Sequence, residues 1–178
     1  EWVGLEKFQE LFVGEDFTNV LRNTTVMAIL NLVSGFTASI IFAILLSEIR
    51  SKKFKRVAQV SSYIPHFIAT MVVAQLVIEF LNYEGAITSL LTWFGFERQN
   101  WLANPDVPVF WIINMITDTW VGFGYGAIVF VAAISNVDPT LHEAAAIDGA
   151  NRWDRIKYIV FPSIVPVIVT MLVIRIGL

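Results

Sequence analysis

The chain contains no cysteine and only two histidines, His66 and His142. Without thiols there is no disulfide framework, no cysteine-held zinc and no thiol nucleophile. Neither histidine has a carboxylate at metal-ligand spacing, so no metal and no cofactor is expected. Charge is scarce as well: Asp, Glu, Lys and Arg supply 15% of the residues, against about 25% in an average soluble domain. The net charge is −3, and the basic residues form no shared face, which excludes nucleic acid as a partner. The one glycine-rich run, Gly122-Phe123-Gly124-Tyr125-Gly126, has no Lys-Ser/Thr after it and no strand before it, so it is not a phosphate loop. No repeat, low-complexity tract or Pro/Ser linker divides residues 1–178, which read as one domain. The sequence opens at Glu1 without Met and closes at Leu178 inside an apolar run, and it is expected to be an internal piece of a longer protein.

What the chain has in abundance is apolar surface. Apolar residues make up 56% of it, and its mean hydropathy is +0.67. A soluble chain of 178 residues could bury a sizeable core. Here the charges instead fall in three blocks, separated by runs too long for ordinary core helices. A bilayer core of roughly 30 Å takes about 20 apolar residues in a helix. Four segments suit it: 24–47, 57–81 with Pro65 near its start, 109–135, and one beginning near Phe161 that is cut off at Leu178. The last spans only about 25 Å at 1.5 Å per residue. The fold class is therefore all-α, a polytopic transmembrane helical bundle, with a soluble helical protein as the rejected alternative.

Loop charge orients the bundle. Arg50, Lys52, Lys53, Lys55 and Arg56 crowd the first connection, and Arg152, Arg155 and Lys157 the third. The second, 82–108, holds Arg98 against Glu84, Glu97 and Asp106, and the leading stretch holds Lys7 and Arg22 among five acids. Basic loops stay in the cytoplasm, so residues 48–57 and 135–161 are read as cytoplasmic. Trp93, Trp101 and Trp111 gather at the opposite boundary, where amphipathic rings prefer to sit.

The stretch from Asp138 to Pro162 is a polar island between greasy segments. Asp138-Pro139 is a helix start, a carboxylate cap followed by proline at the first helical position. Asp148-Gly149 stops that helix, because glycine accepts the left-handed conformation. Asn151 can cap a second helix with Asp154 at its third position, and Trp153, Ile156, Ile159 and Val160 make that helix amphipathic. Pro162 marks entry into the membrane. The expectation is a short helix, a tight turn and a second short helix along the cytoplasmic surface. Ala144, Ala145 and Ala146 offer a thin face that fits closely into a groove, and Glu143 offers an orienting charge. A surface helix resting on lipid headgroups is the plainer alternative.

Glu143-Ala144-Ala145, Gly149, Ile159 and Pro162 fall at the spacing of the EAA loop and resemble the membrane subunits of type I, binding-protein-dependent ABC importers. Phe161 stands where that family usually has Leu. Further stretches, 3–8, 22–24, 52–56 with 62–67, Asp138-Pro139 and 175–177, resemble carbohydrate-importer permeases, nearest to the aldouronate and complex-oligosaccharide branch. The resemblance implies a permease subunit without catalytic residues, its cytoplasmic EAA-type helix-turn-helix coupled to an ABC ATPase dimer through Glu143, Ala144, Ala145, Asp148, Gly149, Ile159 and Pro162. It also implies a second permease subunit in a heterodimer, an extracytoplasmic sugar-binding protein, a bacterial cell membrane location, and at least one missing helix at each end. The alternatives kept open are a permease for amino acids or peptides, a non-ABC membrane enzyme, and a channel that works without ATP.

Charges inside membrane segments are costly and usually face a cavity or a partner. Glu79, Asp118 and Arg175 are such charges. Counted from the outer boundary, Glu79 lies near the rim, Asp118 about 13 Å deep and Arg175 roughly 10 Å deep. With Gln75 and Asn114, each one turn from a charge, they form the candidate substrate path, with Asp118 and Arg175 as a candidate ion pair; the same pair could equally hold the bundle together. Gly122 and Gly126 form a G-x-x-x-G that lets membrane helices approach closely, and Gly35 with Ser39 is a similar small pair.

Overall fold

The computed structural model describes Gly4, residues 15–104 and residues 107–177. Of the stretch 3–8 only Gly4 is therefore described, and Asp106 and Leu178 lie outside the described residues. Helix α1 (Glu15–Ser47) is followed by α2 (Lys52–Tyr63), a 3-10 turn Ile64–Phe67, α3 (Thr70–Leu81) and α4 (Ala86–Trp93). A 3-10 turn Trp101–Ala103 leads into α5 (Val107–Ser135) and α6 (Pro139–Ile147). The chain ends in α7 (Arg152–Arg155), a π-helical turn Ile156–Val160 and α8 (Phe161–Gly177). There is no strand among the described residues.

Among the described residues, three helical stretches are long and apolar enough to cross a membrane: Phe17–Ser47, Pro108–Ser135 and Arg152–Gly177. Most of their large apolar side chains point outward, Ile29, Val33, Ile116 and Val169 among them. That is the expected surface for helices whose solvent is hydrocarbon. The buried core is small and sits toward the end with the basic loops: Ala43, Ala127, Phe130, Ile134, Val160 and Ile164.

The central contact is α1 against α5. Asn31 faces Asn114, Ser34 faces Thr119, and Ser39 faces Gly126. Residue numbers rise together along both helices, so α1 and α5 run parallel. A chain that leaves α1 at Ser47 must travel back along the pair before α5 can start, and residues 52–104 make that return. Ser62, near the end of α2, lies against Gly124 of α5. Farther on, α3 lines the same hollow as Phe110, Ile113 and Thr117, nearer the start of α5.

That return is not the straight second span that the hydropathy suggested. It breaks at Ile64–Phe67, and the segments Lys52–Phe67 and Thr70–Trp93 meet at 94°. Pro65 lacks the N–H that a continuing helix needs, and it is buried. Ile68 and Ala69 are then extended, with ψ of 132° and 135°. The corner is clamped onto α5: the His66 ring stacks on Tyr125 with centroids 3.9 Å apart, and Phe67 meets the same tyrosine edge-on.

Candidate functional site

The elbow between α5 and α8 is built by local chemistry. A carboxylate oxygen of Asp138 accepts the Thr140 N–H at 2.9 Å, and Pro139 occupies the first turn of α6. The backbone N–H of Thr140, and then its side chain, hold the Asp138 carboxyl below the usual carboxylate range. At the other end Gly149 takes φ of +79°. Its N–H donates to Ala146 O at 3.2 Å, and the Ala150 N–H reaches Ala145 O at 2.9 Å. This paired 5→2 and 6→1 closure is the Schellman arrangement. Asn151 restarts the helix with a full capping box: its Oδ1 accepts Trp153 N–H at 2.8 Å and Asp154 N–H at 3.1 Å, while Asp154 Oδ2 accepts the Asn151 N–H at 3.1 Å.

Beyond Asn151 the structure corrects the expectation of a second short surface helix. From Arg152 the chain stays helical to Gly177 as one stretch of 26 residues, so the second arm of the elbow is the first turn of the last span. Pro162 does not end a helix. A five-residue π turn, Ile156–Val160, immediately precedes α8. A π turn shifts the hydrogen-bond register, and that is where a proline's missing donor and bulky ring are accommodated within a helix. Ile159 is half-buried within this turn, and Pro162 is exposed at the start of α8.

The elbow presents a defined outer face. Glu143, Ala144, Asp148 and Gly149 are exposed, and Ala145 is half-buried. Leu141 is also exposed, Ile147 is 87% exposed and Trp153 78% exposed. Large apolar groups this bare, on a capped rigid corner beyond the end of the core, form a surface shaped to be covered. Leu141 and Ile147 escaped the sequence reading because attention to alanine and glycine spacing hides the apolar side chains between them.

Within the bundle, polar groups collect at one level. Asn31 Nδ2 donates to Asn114 Oδ1 at 3.0 Å, and Thr119 Oγ1 donates to Ser34 Oγ at 2.9 Å. The other acceptor position of this pair is unmet, since Asn31 Oδ1 is buried without a partner. Asn114 thus pairs across the helix seam as well as lying one turn from Asp118. Arg175 brings its guanidinium to Gly35, where an added Cβ would stand 3.7 Å from Nη2. Gly35 lies one turn beyond Asn31 and next to Ser34, near the middle of 24–47, so Arg175 reaches deeper than the roughly 10 Å counted from sequence. Asp118 adjoins Thr119 and so shares this level. Asp118 and Arg175 are both exposed and do not form an ion pair with one another. Gln75 and Glu79 bond each other at 3.1 Å on the exposed side of α3, with Asn82 reaching the same carboxylate at 3.4 Å. These two groups are separate: one along the seam, one on the bent return.

Glycine spacing also resolves into separate roles. A Cβ on Gly126 would stand 2.6 Å from Ser39 Oγ, whereas one on Gly122 would meet nothing within 4 Å. The tightest approach is at Gly124, which packs directly on the Ser62 carbonyl. The alternation Gly124–Gly126, rather than the four-residue interval, lets two different helices come close.

Parallel apolar spans, a folded-back bent segment and a rigid elbow at the basic end define a polytopic helical membrane protein. The chain belongs to the family described as binding-protein-dependent transport system inner membrane component, whose profile matches residues 35–178. It is accordingly an inner-membrane protein. It is 37% identical over 180 residues to Protein LplB of Bacillus subtilis (strain 168), covering 99% of this chain and 55% of that one. It is 40% identical over 179 residues to the polygalacturonan/rhamnogalacturonan transport system permease protein YteP of the same organism, with coverage of 99% and 55%. Among solved structures, a chain of a bacterial ABC transporter involved in import of the acidic polysaccharide alginate superposes with a TM-score of 0.91 at 38% identity, covering 99% of this chain and 61% of that one. The chain spans about half the length of the curated relatives it matches.

Proposed function

We propose that this chain is the membrane-spanning part of a permease subunit in an ATP-driven importer of carbohydrate, and that it catalyses no bond chemistry itself. The observation that carries this is the elbow Asp138–Pro162. It is capped at both arms and closed by a left-handed glycine, and it is continuous with a span through Arg152–Gly177. A lever of this kind passes a push on α6 into tilting of α8. The partner that pushes is a cytoplasmic ABC ATPase dimer, with Glu143, Ala144, Ala145, Asp148 and Gly149 at the contact and Ile159 and Pro162 at the root of the lever. A second permease subunit and an extracytoplasmic sugar-binding protein complete the assembly. One solved relative was crystallised with a periplasmic protein holding an alginate pentasaccharide, which supports the last assignment.

The cargo is an oligosaccharide that includes uronic acid units. Relatives named for polygalacturonan/rhamnogalacturonan and for alginate favour it, and so does an unpaired Arg175 beside Gly35. Asn114, Asp118 and Arg175 line the path at mid-depth, and Gln75 with Glu79 line it nearer the outer rim. An amino-acid or peptide permease is the rival, and it predicts different cargo for the same machinery. The deciding experiment is uptake by the complete transporter in vesicles, with charged and neutral oligosaccharides and with peptides offered separately. Gly149→Asp should abolish co-purification of the ATPase subunit and uptake together. Retained co-purification and uptake would reject the coupling role.

A further inference from the structure

Behind the elbow a cleft of about 550 Å³ opens between the ends of α1 and α5, the loop after α1, and α6 with α7. Its inner wall is apolar, with Ile134 and Val160 of the core. Its mouth carries Arg50, Lys55, Arg152 and Arg155 against two carboxylates, Glu48 and Glu143, with His142 beside them. No ion pair joins any of these charges. Arg155 Nε is buried and has no hydrogen-bond partner, although a buried donor on a charged group is costly to leave unmet. The cations therefore outnumber the acids, the acids do not close onto them, and one guanidinium keeps a buried Nε donor unmet.

We infer that this cleft binds a phosphate-bearing anion, with Arg152 and Arg155 as its principal donors. Guanidinium forks match the oxygens of a phosphate two at a time. The cleft lies at the cytoplasmic boundary of the bundle, where that chemistry comes either from the headgroup of an anionic phospholipid or from soluble phosphate. An apolar inner wall behind a cationic mouth accommodates both. The inference is independent of the transported cargo and of the polar level around Asn31, and of the exposed outer face of α6 it shares only Glu143, at the rim of both surfaces. Its effect would be to fasten the root of the elbow to the loop after α1.

The test uses the complete transporter in nanodiscs of phosphatidylcholine with a minor fraction of phosphatidylglycerol. Native mass spectrometry counts retained phosphatidylglycerol, and calorimetric titration with inorganic phosphate, in discs without phosphatidylglycerol, tests the soluble source. The comparison is among wild type, Arg152→Gln/Arg155→Gln, and Lys52→Gln/Lys53→Gln, which removes equal charge from residues that do not line the cleft. The expected result is a loss of about tenfold in retention or in phosphate affinity, equivalent to about 1.4 kcal/mol, in the arginine pair only. Arg155→Lys keeps the charge but loses the fork, so it should fall between. If the double variant is recovered in poor yield, Arg155→Gln alone carries the comparison. Equal binding by wild type and arginine variants, equal loss in the lysine pair, or no binding in either arm overturns the inference.

Discussion

Gly149 shows how much a single residue fixes. At φ of +79° any other side chain meets its own backbone, at a cost of roughly 1–2 kcal/mol. Open space surrounds it, so Gly149→Ala should weaken the corner through strain alone. We expect reduced ATPase co-purification with normal abundance, read by affinity pull-down from the membrane fraction. Gly124 is the contrasting case. It has ordinary helical backbone, but Ser62 leaves no room for a Cβ, so Gly124→Ala should lower abundance and thermal stability in detergent, while leaving coupling per folded molecule unchanged. Asn31 and Asn114 are worth less than their burial suggests. Interhelical hydrogen bonds in membranes average about 0.6 kcal/mol, and a double-mutant cycle with Asn31→Leu and Asn114→Leu should return a coupling of that order.

At the scale of elements, the start and stop signals of the elbow were legible because they are local. Asp138-Pro139, Asp148-Gly149 and Asn151 with Asp154 satisfy their own backbone within five residues, so no distant contact is needed to read them. Pro162 misled for the same reason: a proline reads as a boundary, and the π turn that absorbs it leaves no local sign. The right-angled corner at Ile64–Phe67 was half legible. Pro65 announces a break, but its angle depends on Gly124, Tyr125 and His66 meeting across 60 residues of sequence. The cap of α6 should also depend on pH. The Asp138 pKa is depressed in the folded chain, so its capping contribution is fully present above the usual aspartate pKa and is lost as pH falls through its own lower value. Hydrogen-exchange protection of α6, corrected for intrinsic rates, should therefore fall only in acid and be flat from mild acid to neutrality. Asp138→Asn should remove that acid-side fall.

For the whole molecule, the apolar runs and the charge of their loops were enough to give the first and third runs one sense, as α1 and α5 have, because both are summed properties insensitive to packing detail. That α1 and α5 pack directly on one another was not legible, since it rests on pairs such as Ser34–Thr119. Nor was the separation of Asp118 from Arg175, which depends on how α8 rotates about its axis. Because these 178 residues hold no cysteine, engineered thiols report without background from this stretch. Cysteines at Ile147 and Tyr83 should be labelled by impermeant reagents from opposite sides of the membrane. In the complete transporter, Arg175→Ala should abolish uptake of uronate oligosaccharides at normal abundance if the arginine meets cargo; a parallel fall in abundance would assign it to holding the bundle.

The long seam between α1 and α5 has a consequence for how such a protein could open. Two rods laid in the same sense, pegged by amide and hydroxyl pairs at one level and by interlocking phenyl rings farther along, turn as one plank. Any doorway must therefore swing on the plank's free sides, where the final helix and the cornered return lean on it more sparingly. A covalent staple across the plank should leave traffic untouched, while one tying either flank to it should jam the door.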